Sequence, residues 1–436
     1  MKLRDVLEID FPLFFAALLL TLFGILFIYS SGLGSSGLVV SSEYVRQIVW
    51  AAAGVIMALV ISFVNFRRIY DISFYLYGGT ILLLIYTCFF GRLVNGARAW
   101  IGIGSFGIQP AEFAKITTIL FLARHLDSTK YSQNAVSRFV LSCVIVVIPM
   151  GIVLMQPDFG TSLVFIPILL AMTFIGGIAM RYVAFLGGCI VIMGLMMVGP
   201  LWQETILKGA LPALTVLTNF RFILVSIGVL GIISLIAFFG YFRFKKRRFY
   251  WICYAAVMLI VSLFGSYAAH RVLKEYQIMR LIVFLDPNVD PRGSGWHIIQ
   301  SMTAIGSGGF MGKGFLQGTQ SHYRFLPQQS TDFIFSIFTE EWGFLGGILV
   351  FALFLLICLR LIRLMKTTSD TFDSYIAGGL AVMYAFHFLI NVGMTMGVMP
   401  ITGIPLLFMS YGGSALISAM IGIGLAMNIH IRRFRR

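Results

Sequence analysis

The feature that most constrains this chain is a succession of apolar stretches, each about 20 residues long, separated by short polar connections. An apolar helix of about 20 residues is long enough to cross the hydrocarbon core of a bilayer. Of the 436 residues, 59% are hydrophobic and only 11% are charged. Soluble domains carry about a quarter charged residues. The sequence therefore predicts an integral membrane protein and excludes a soluble globular domain.

Hydropathy predicts an all-α polytopic bundle of about 12 membrane-spanning helices, with no domain boundary visible between residues 1 and 436. The fourth predicted span, 110–124, is the shortest and begins with polar residues. The predicted spans are 11–30, 47–65, 74–90, 110–124, 138–155, 160–178, 182–200, 220–241, 250–269, 332–364, 376–398 and 404–430.

Basic residues gather at alternate connections, most densely at 243–248, and at both ends of the chain. Because positively charged connections remain in the cytoplasm, these connections and both termini are predicted to be cytoplasmic. The net charge of +15 is therefore read as an orientation signal, and no nucleic-acid partner is predicted. The connections predicted to face outward are 31–46, 91–109, 156–159, 201–219, 270–331 and 399–403.

Two glycine-rich motifs lack the context that nucleotide binding requires. Gly102 to Gly107 matches G-x-G-x-x-G but follows no βαβ pattern. The run GSGGFMGKG resembles a phosphate loop, but Ser307 occupies the first glycine position and Gly314 the Ser/Thr position. The five cysteines lie singly in apolar segments, which predicts core residues rather than metal ligands or a disulfide framework.

The longest stretch that is not continuously apolar runs from Tyr276 to Gly346 and includes most of the outer connection 270–331. Its glycine, proline and aromatic content indicates an ordered loop. Asp286 and Asp290 are each followed by proline, a pair that also forms turns. A carboxylate among cations suits a ligand with a lipid tail and an anionic head, with the cations on its phosphates and the carboxylate as a base. The basic residues of the outer connections include Arg98, Arg271, Lys274, Arg280, Arg292, Lys313 and Arg324.

Charged residues also lie inside predicted spans, where each charge is costly. Glu112 and Lys115 lie on one face of the fourth span, one turn into it, and can pair. The pattern leaves open a structural ion pair and a direct substrate contact. Asp158 opens the sixth span, where a carboxylate favours a helix start, so it is either a cap or a ligand contact.

The tenth predicted span, 332–364, also contains charged residues. Asp332 follows Thr331 at its start and is a candidate cap, and Glu340 and Glu341 lie about two turns deeper. An intramembrane carboxylate pair is expected to face a cavity or a partner rather than lipid.

Several segments, in the correct order and covering most of the chain, resemble the SEDS family, whose members serve shape, elongation, division and sporulation. The FLDP run, the GTQ triplet and the short amino-terminal arm are similar to its RodA branch rather than to its FtsW branch. The segments are NGARAWIGIGSFGIQPAEFAKI, QPDFGTSLVFIPIL, FLDPNVDPRGSGWHIIQSMTAIGSGG with GKG and GTQ, FLPQQSTDFIF with EEWGFLG, and GVMPITGIPLLFMSYGGSAL.

The resemblance implies a peptidoglycan glycosyltransferase of the bacterial cytoplasmic (inner) membrane. Such proteins polymerise lipid II, a disaccharide-pentapeptide on undecaprenyl diphosphate, at the outer face, and work with a class B penicillin-binding protein that supplies transpeptidation. Asp290 matches the family's catalytic aspartate and is predicted to be the general base for the acceptor sugar's 4-hydroxyl. Outer cations would stabilise the leaving diphosphate, and whether a divalent cation such as Mg or Mn assists them is left open.

The resemblance and the charge pattern together assign roles to further residues. Predicted to bind or line the substrate cavity are Trp100, Glu112, Lys115, Asp158, Arg280, Lys313 and Arg98. Predicted to support the site are Gln109, Asp286, Asp332, Glu340 and Glu341.

The chain departs from the family pattern in two ways. Gln328 and Ser330 stand where the family usually has Glu and His, so contacts that depend on that charge or that imidazole are not carried over. The family fold has ten spans, and the surplus pair is predicted to be an inserted transmembrane hairpin at 220–269, outside the active site. An even number of added spans keeps the loop 270–331 on the outer side.

Two other functions are compatible with the same residues: a lipid II flippase, and a non-catalytic membrane scaffold for the transpeptidase. Polar residues cluster towards the outer half of the predicted bundle, which favours chemistry at the outer surface over a path through the full bilayer. A secondary transporter is disfavoured because no helix-breaking pair recurs in matched halves.

Overall fold

The structure is a computed structural model that describes residues 10–34, 38–94, 97–103, 106–131, 134–203, 219–272, 275–291, 293–326 and 328–433. The chain divides into two compact units. One comprises Met1–Ile178 and His297–Arg436, and the other comprises Ala179–Trp296.

Long helices dominate both units. The elements before residue 179 are α1 (Phe11–Ser31), α2 (Glu43–Phe63), α3 (Phe66–Phe90), β1 (Arg92–Val94), β2 (Ala97–Ile103), β3 (Phe106–Ile108), α4 (Pro110–Ser128), α5 (Ala135–Met155), α6 (Phe159–Leu163) and α7 (Phe165–Ile175). The second unit contains α8 (Met180–Trp202), α9 (Phe220–Phe244), α10 (Arg247–Val272), α11 (Glu275–Leu285) and a 3₁₀ turn (Pro287–Val289). The remaining helices are α12 (Ser294–Gly308), α13 (Thr319–His322), α14 (Ile334–Thr367), α15 (Thr371–Thr395) and α16 (Gly413–Arg433).

Among the described residues, 10 helices are long and apolar enough to cross a membrane. The prediction of a helical polytopic membrane protein is confirmed. The predicted count of about 12 is not reached, because the segments predicted at 110–124 and 160–178 are not among the ten. The ten are α1, α2, α3, α5, α8, α9, α10, α14, α15 and α16.

Helix α4 is a continuous helix of 19 residues, but its composition is too polar for it to count as a candidate span. It carries Glu112, Lys115, Arg124 and Asp127. The helix packs against α3, α5, α15 and α16, so its polar side chains face protein. Hydropathy does not identify such a helix as a span, because it measures how well a segment suits lipid and not how well it suits a protein interior.

The segment 160–178 contains two short helices instead of one span. Helix α6 ends at Leu163 and α7 begins at Phe165. Pro167 explains the interruption, because a proline ring clashes with the carbonyl group four residues earlier, which here belongs to Leu163.

A small antiparallel sheet in the order β1-β2-β3 occupies the predicted outer connection 91–109. Leu93 pairs with Arg98, and Gly102 pairs with Gly107. The all-α prediction missed these strands because they are short and lie in a connection whose glycines obscure the alternating pattern.

Ion pairs bring together helix ends that the charge pattern had placed on one side. Asp10, the N-cap of α1, pairs with Arg360 near the end of α14 at 2.6 Å. Arg432 near the end of α16 pairs with Asp373 in the first turn of α15 at 3.1 Å. The start of α1 and the end of α14 are therefore neighbours, as the predicted orientation requires.

Within the second unit, α10 packs against α8 and α9. Helices α9 and α10 are joined by Lys245 and Lys246, and Lys245 adopts the left-handed conformation that ends α9. Residues 220–269 therefore form a helical hairpin with a basic turn. That this hairpin is an addition to the family fold stays a prediction.

Candidate active site

A buried ion pair lies in the first two turns of α4. The ammonium of Lys115 lies 2.8 Å from Oε2 of Glu112, and both side chains are almost completely buried. The predicted pairing of these two residues is confirmed. Two buried charges are tolerated only when they are paired and hydrogen-bonded, so each residue depends on the other.

His387 of α15 completes this cluster. Its Nε2 lies 3.0 Å from Nζ of Lys115, and its Nδ1 lies 3.2 Å from the carbonyl oxygen of Pro405. A carbonyl can only accept, so Nδ1 carries the proton and Nε2 accepts from the ammonium. His387 was not among the residues predicted for the site. The sequence feature that could have indicated this residue is an ionisable side chain inside an otherwise apolar helix.

Two serines of α16 hold the start of α4. The hydroxyl of Ser414 accepts a hydrogen bond from the backbone N–H of Gln109 at 2.8 Å. The hydroxyl of Ser418 donates to the backbone carbonyl of Glu112 at 2.8 Å. The conformation of this helix start is therefore fixed by residues that follow it by some 300 positions, which no local pattern could indicate.

Gln109 and Asp158, both predicted for the site, are directly bonded. The side-chain amide of Gln109 donates to Oδ2 of Asp158 at 2.6 Å. The other carboxylate oxygen accepts from the backbone N–H of Thr161 at 3.1 Å, which makes Asp158 the N-cap of α6. The cap interpretation is confirmed, and the link to Gln109 adds a tie between α6 and α4.

Trp100 and Arg98 lie on β2, next to the start of α4. The Arg98 side chain is exposed, and Trp100 is half-buried. The indole of Trp100 covers Gly107 so closely that a Cβ there would lie 2.9 Å from Cε3. A side chain at position 107 would therefore displace the indole.

A break in α14 presents Glu340 and Glu341 to the preceding loop. Gly343 has φ 65° and ψ −161°, a combination available essentially only to glycine. The N–H groups of Phe344 and Leu345 bond to the carbonyls of Gly309 and Phe310 instead of continuing the helix. The freed carbonyls of Glu340 and Glu341 accept from the N–H groups of Lys313 and Gly314, each at 3.0 Å.

The two carboxylates are bound by the same loop. Oε1 of Glu340 accepts from the Lys313 ammonium at 2.6 Å and from the backbone N–H groups of Thr319 and Gln320 at 2.9 and 3.1 Å. Lys313 also donates to the Thr319 hydroxyl at 2.8 Å. The lysine of the motif that resembles a phosphate loop is therefore bound to a carboxylate of the protein itself.

Glu341 has its own partners. Its Oε1 accepts from the hydroxyl of Ser30 on α1, and its Oε2 accepts from the backbone N–H of Leu316 at 2.9 Å. Gly318 lies between the two glutamates, where a Cβ would meet Oε1 of Glu341 at 3.0 Å and Oε2 of Glu340 at 3.1 Å. Of the two predicted environments, a cavity or a partner, the structure shows the second: both carboxylates are bound by other groups of the protein.

Asp332 does not cap α14. The N-cap position is occupied by Phe333. The backbone carbonyl of Asp332 accepts from the side-chain amide of Asn391 at 2.9 Å, which ties the start of α14 to α15. At the two positions that depart from the family pattern, Gln328 is exposed, and the Ser330 carbonyl accepts from the N–H of Tyr411 at 2.8 Å.

In the second unit, Asp286 and Asp290 flank the 3₁₀ turn. Oδ1 of Asp286 accepts from the backbone N–H and the side-chain amide of Asn288 at 2.9 and 3.0 Å, so Asp286 is the cap of the turn. The side chain of Asp290, half-buried, lies over Gly293, where a Cβ would fall 2.2 Å from Oδ2. The two aspartates thus have different environments, although each precedes a proline.

The backbone fixes the position of Asp290. Its carbonyl accepts from the N–H groups of Gly293 and Gly295 at 3.3 and 3.0 Å. A Cβ at Gly295 would lie 2.1 Å from the carbonyl oxygen of Pro287. Arg280, half-buried on the preceding helix α11, belongs to the same unit. Arg292 and Lys274 lie outside the described residues.

No group of three or more His, Cys, Asp or Glu side chains that could hold a metal ion occurs in the described part of the chain. Metal-binding cages with several protein carboxylates are therefore absent from that part.

The family model for FtsW, RodA and SpoVE, described as cell cycle proteins, matches residues 11–208 and 223–434. The chain is 50% identical to Peptidoglycan glycosyltransferase RodA of Treponema pallidum, over 99% of this chain and 100% of that protein. It is 31% identical to Peptidoglycan glycosyltransferase MrdB of Escherichia coli K12, over 89% of this chain and 90% of that protein.

Solved structures show the same fold. A chain of a peptidoglycan synthase complex, described as coordinating polymerization and crosslinking, superposes with a TM-score of 0.66 at 27% identity, covering 98% of this chain and 99% of that one. The crystal structure of the rod shape determining protein RodA from Thermus thermophilus gives a TM-score of 0.60 at 23% identity, covering 98% of both chains. This chain belongs to the FtsW/RodA/SpoVE family, which is the SEDS family.

Proposed function

We propose that this chain is a peptidoglycan glycosyltransferase that polymerises lipid II at the outer face of the bacterial cytoplasmic membrane, for cell-wall elongation and rod shape. The observation that carries the proposal is the 50% identity to Peptidoglycan glycosyltransferase RodA over 99% of the chain. That match extends over 99% of this chain and 100% of the relative, so it includes the segment around Asp290 and is not confined to the apolar helices.

Asp290 is the proposed general base. Its carboxylate takes the proton from the 4-hydroxyl of the acceptor sugar, whose oxygen then forms the new bond to the anomeric carbon of the donor. The bond from that carbon to the diphosphate breaks, and undecaprenyl diphosphate leaves with the electron pair. The contacts of Gly293 and Gly295 with Asp290 support this role, because a base must be held in one position.

Arg280, which belongs to the same unit as Asp290, is the proposed partner of the departing diphosphate, because guanidinium groups bind phosphate oxygens with paired N–H donors. Lys313 is a weaker candidate than the charge pattern indicated, since its ammonium is already bonded to Glu340. The buried cluster of Glu112, Lys115 and His387 is proposed to fix α4, and with it the strand that carries Trp100.

We assign about 12 crossings to the chain by counting α4 and the pair α6 and α7 as crossings enclosed by protein. A helix of 19 residues spans roughly 28 Å at 1.5 Å per residue, close to the hydrocarbon thickness. Without these two crossings, the basic connections at 124–138 and near Arg181 would no longer fall on one side. With them, both termini are cytoplasmic and the loop 270–331 is outside.

A class B penicillin-binding protein is the proposed partner. The solved chain that superposes over 98% of this one belongs to a complex described as joining polymerization and crosslinking. Glycan strands are useful to a cell wall only when they are crosslinked, so a polymerase and a transpeptidase are chemically complementary.

The test is polymerisation of purified lipid II by purified chain, with and without the partner, read as product length on a gel. Asp290→Asn should abolish polymer while lipid II binding is retained. The matched control is Asp286→Asn, because that carboxylate caps the turn and its amide replacement keeps the accepting Oδ1. Polymer from Asp290→Asn would show that the base lies elsewhere.

The polymerisation assay, together with a measurement of cell shape, separates the two alternative functions, a flippase and a scaffold. A flippase makes no polymer from lipid II in detergent, whatever residue stands at position 290. A scaffold makes no polymer alone but supports cell shape equally well with Asp290→Asn. Polymer formation by the wild-type chain that depends on Asp290 contradicts both.

A further inference from the structure

A second polar site lies where the ends of α1, α14 and α16 meet. A cavity of about 190 Å³ opens there. None of the residues around it belongs to the candidate active site. The cavity is lined by Asp10, Arg360, Arg363, Leu364, His430 and Arg433.

The lining carries more positive than negative charge. Asp10 is the one carboxylate among the described residues that line it, and it is held by Arg360, whose Nε and Nη2 donate to Oδ1 at 2.9 and 2.6 Å. His430 lies against the other oxygen, with Nδ1 3.7 Å from Oδ2. The described lining thus holds three guanidinium groups and one carboxylate, and the excess positive charge favours an anion.

Two of the arginines are placed to bind that anion. The guanidinium group of Arg363 is exposed, and no hydrogen bond or ion pair joins it to a residue that the structure describes; the backbone carbonyl of Arg363 accepts from the Thr367 hydroxyl. Arg433 donates to a neutral acceptor, the hydroxyl of Thr367, at 2.7 Å. Guanidinium groups offer paired N–H donors that match the oxygens of a phosphate.

The position in the fold favours a lipid as the source of the phosphate. Asp10 directly precedes the apolar helix α1, so the cavity lies at the level where a membrane helix begins. Phe11 and Phe15, one helical turn apart beside it, are 54% and 62% exposed. An acyl chain can lie against these rings while its headgroup enters the cavity.

We infer that this cavity binds the phosphodiester headgroup of an anionic phospholipid in the cytoplasmic leaflet. Basic pockets between membrane helices on this side are suited to such headgroups. The inference rests on the predicted orientation and not on the glycosyltransferase reaction, so either can fail without the other.

The experiment compares full-length wild-type chain with Arg363→Gln/Arg433→Gln after reconstitution in phosphatidylcholine vesicles that contain a minor fraction of phosphatidylglycerol. Native mass spectrometry then measures the phosphatidylglycerol that each protein retains. The matched control, Arg67→Gln/Arg68→Gln, removes the same charge from exposed positions on the same predicted side. We expect about 30-fold weaker retention in the cavity variant and little change in the control, since each basic residue near the surface contributes to anionic lipid binding.

A second variant distinguishes a loss of lipid retention from a loss of folding. Arg363→Gln alone breaks no internal hydrogen bond within the described residues, so it should keep the wild-type unfolding temperature and still lose retention. Equal losses in the cavity variant and the control would overturn the inference, because general surface charge would explain both. Wild-type protein that retains no phosphatidylglycerol, or a site occupied by inorganic phosphate alone, would also overturn it.

Discussion

The ammonium of Lys115 lies 3.0 Å from Nε2 of His387, whose other ring nitrogen is held by the Pro405 carbonyl. This relationship joins α4 to α15 and to the segment before α16. Lys115 thus has one charged and one neutral partner, Glu112 and His387, in a region closed to solvent. The cluster explains how a helix as polar as α4 can be buried among apolar helices of its own unit.

We expect His387→Leu to reduce the free energy of unfolding by about 1–3 kcal/mol, because it removes a buried acceptor from the Lys115 ammonium. Thermal unfolding in detergent measures the change. Met383→Leu, an apolar exchange at a buried position of the same helix, is the control. An unchanged unfolding temperature for His387→Leu would contradict the role given to this histidine.

Gly293→Ala should reduce polymerisation nearly as much as Asp290→Asn does. The added methyl group would fall 2.2 Å from Oδ2 of Asp290, so the carboxylate must move away. The fold should survive, since the clashing group is a side chain that can rotate. Gly306→Ala, on α12 with open space around the added methyl, is the matched control for both activity and unfolding temperature. Full activity of Gly293→Ala would mean that the position of Asp290 observed here is not the reactive one.

Glu340→Gln should reduce the free energy of unfolding by about 1.5–3 kcal/mol, since hydrogen bonds to a charged acceptor are stronger than those to a neutral one. In a double-mutant cycle with Lys313→Met, we expect a coupling of about 0.5–3 kcal/mol between the two positions. The alternative result is that the two changes in the free energy of unfolding are additive and that Lys313→Met loses activity but not stability. That result would assign Lys313 to substrate binding instead.

Gly343→Ala should destabilise the chain by at least about 1–3 kcal/mol, the usual cost of a non-glycine residue in a glycine-only conformation. The methyl group would also lie 2.3 Å from the backbone nitrogen of Gly312, where no rotation relieves the contact. Gly78→Ala on α3, which meets nothing within 4 Å, should be neutral or stabilising by up to about 1 kcal/mol. Similar unfolding temperatures for Gly343→Ala and Gly78→Ala would contradict the conclusion that the glycine conformation at Gly343 interrupts α14.

Several features of the site followed from local sequence. Glu112 and Lys115 pair because three positions along a helix bring side chains onto one face. Asp158 caps a helix and Asp286 caps a turn because a short carboxylate at the start of a helix or turn finds free backbone N–H groups. The ion pair between Lys313 of GSGGFMGKG and Glu340 was not predictable, because a glycine-rich loop has the same sequence pattern whether its anion is a ligand or a side chain of the protein.

The sequence alone determined that the chain is a helical membrane protein and identified its family, and the charge pattern predicted its orientation, because hydropathy, basic connections and motifs are local properties. Only the tertiary structure decided that α4 is enclosed by protein, that His387 reaches Lys115, and that Gly343 interrupts α14 so that the loop from α12 can bind there. These contacts join residues far apart in the chain. A buried polar group accepts any partner of the right chemistry, and only the packing of helices selects which one it meets.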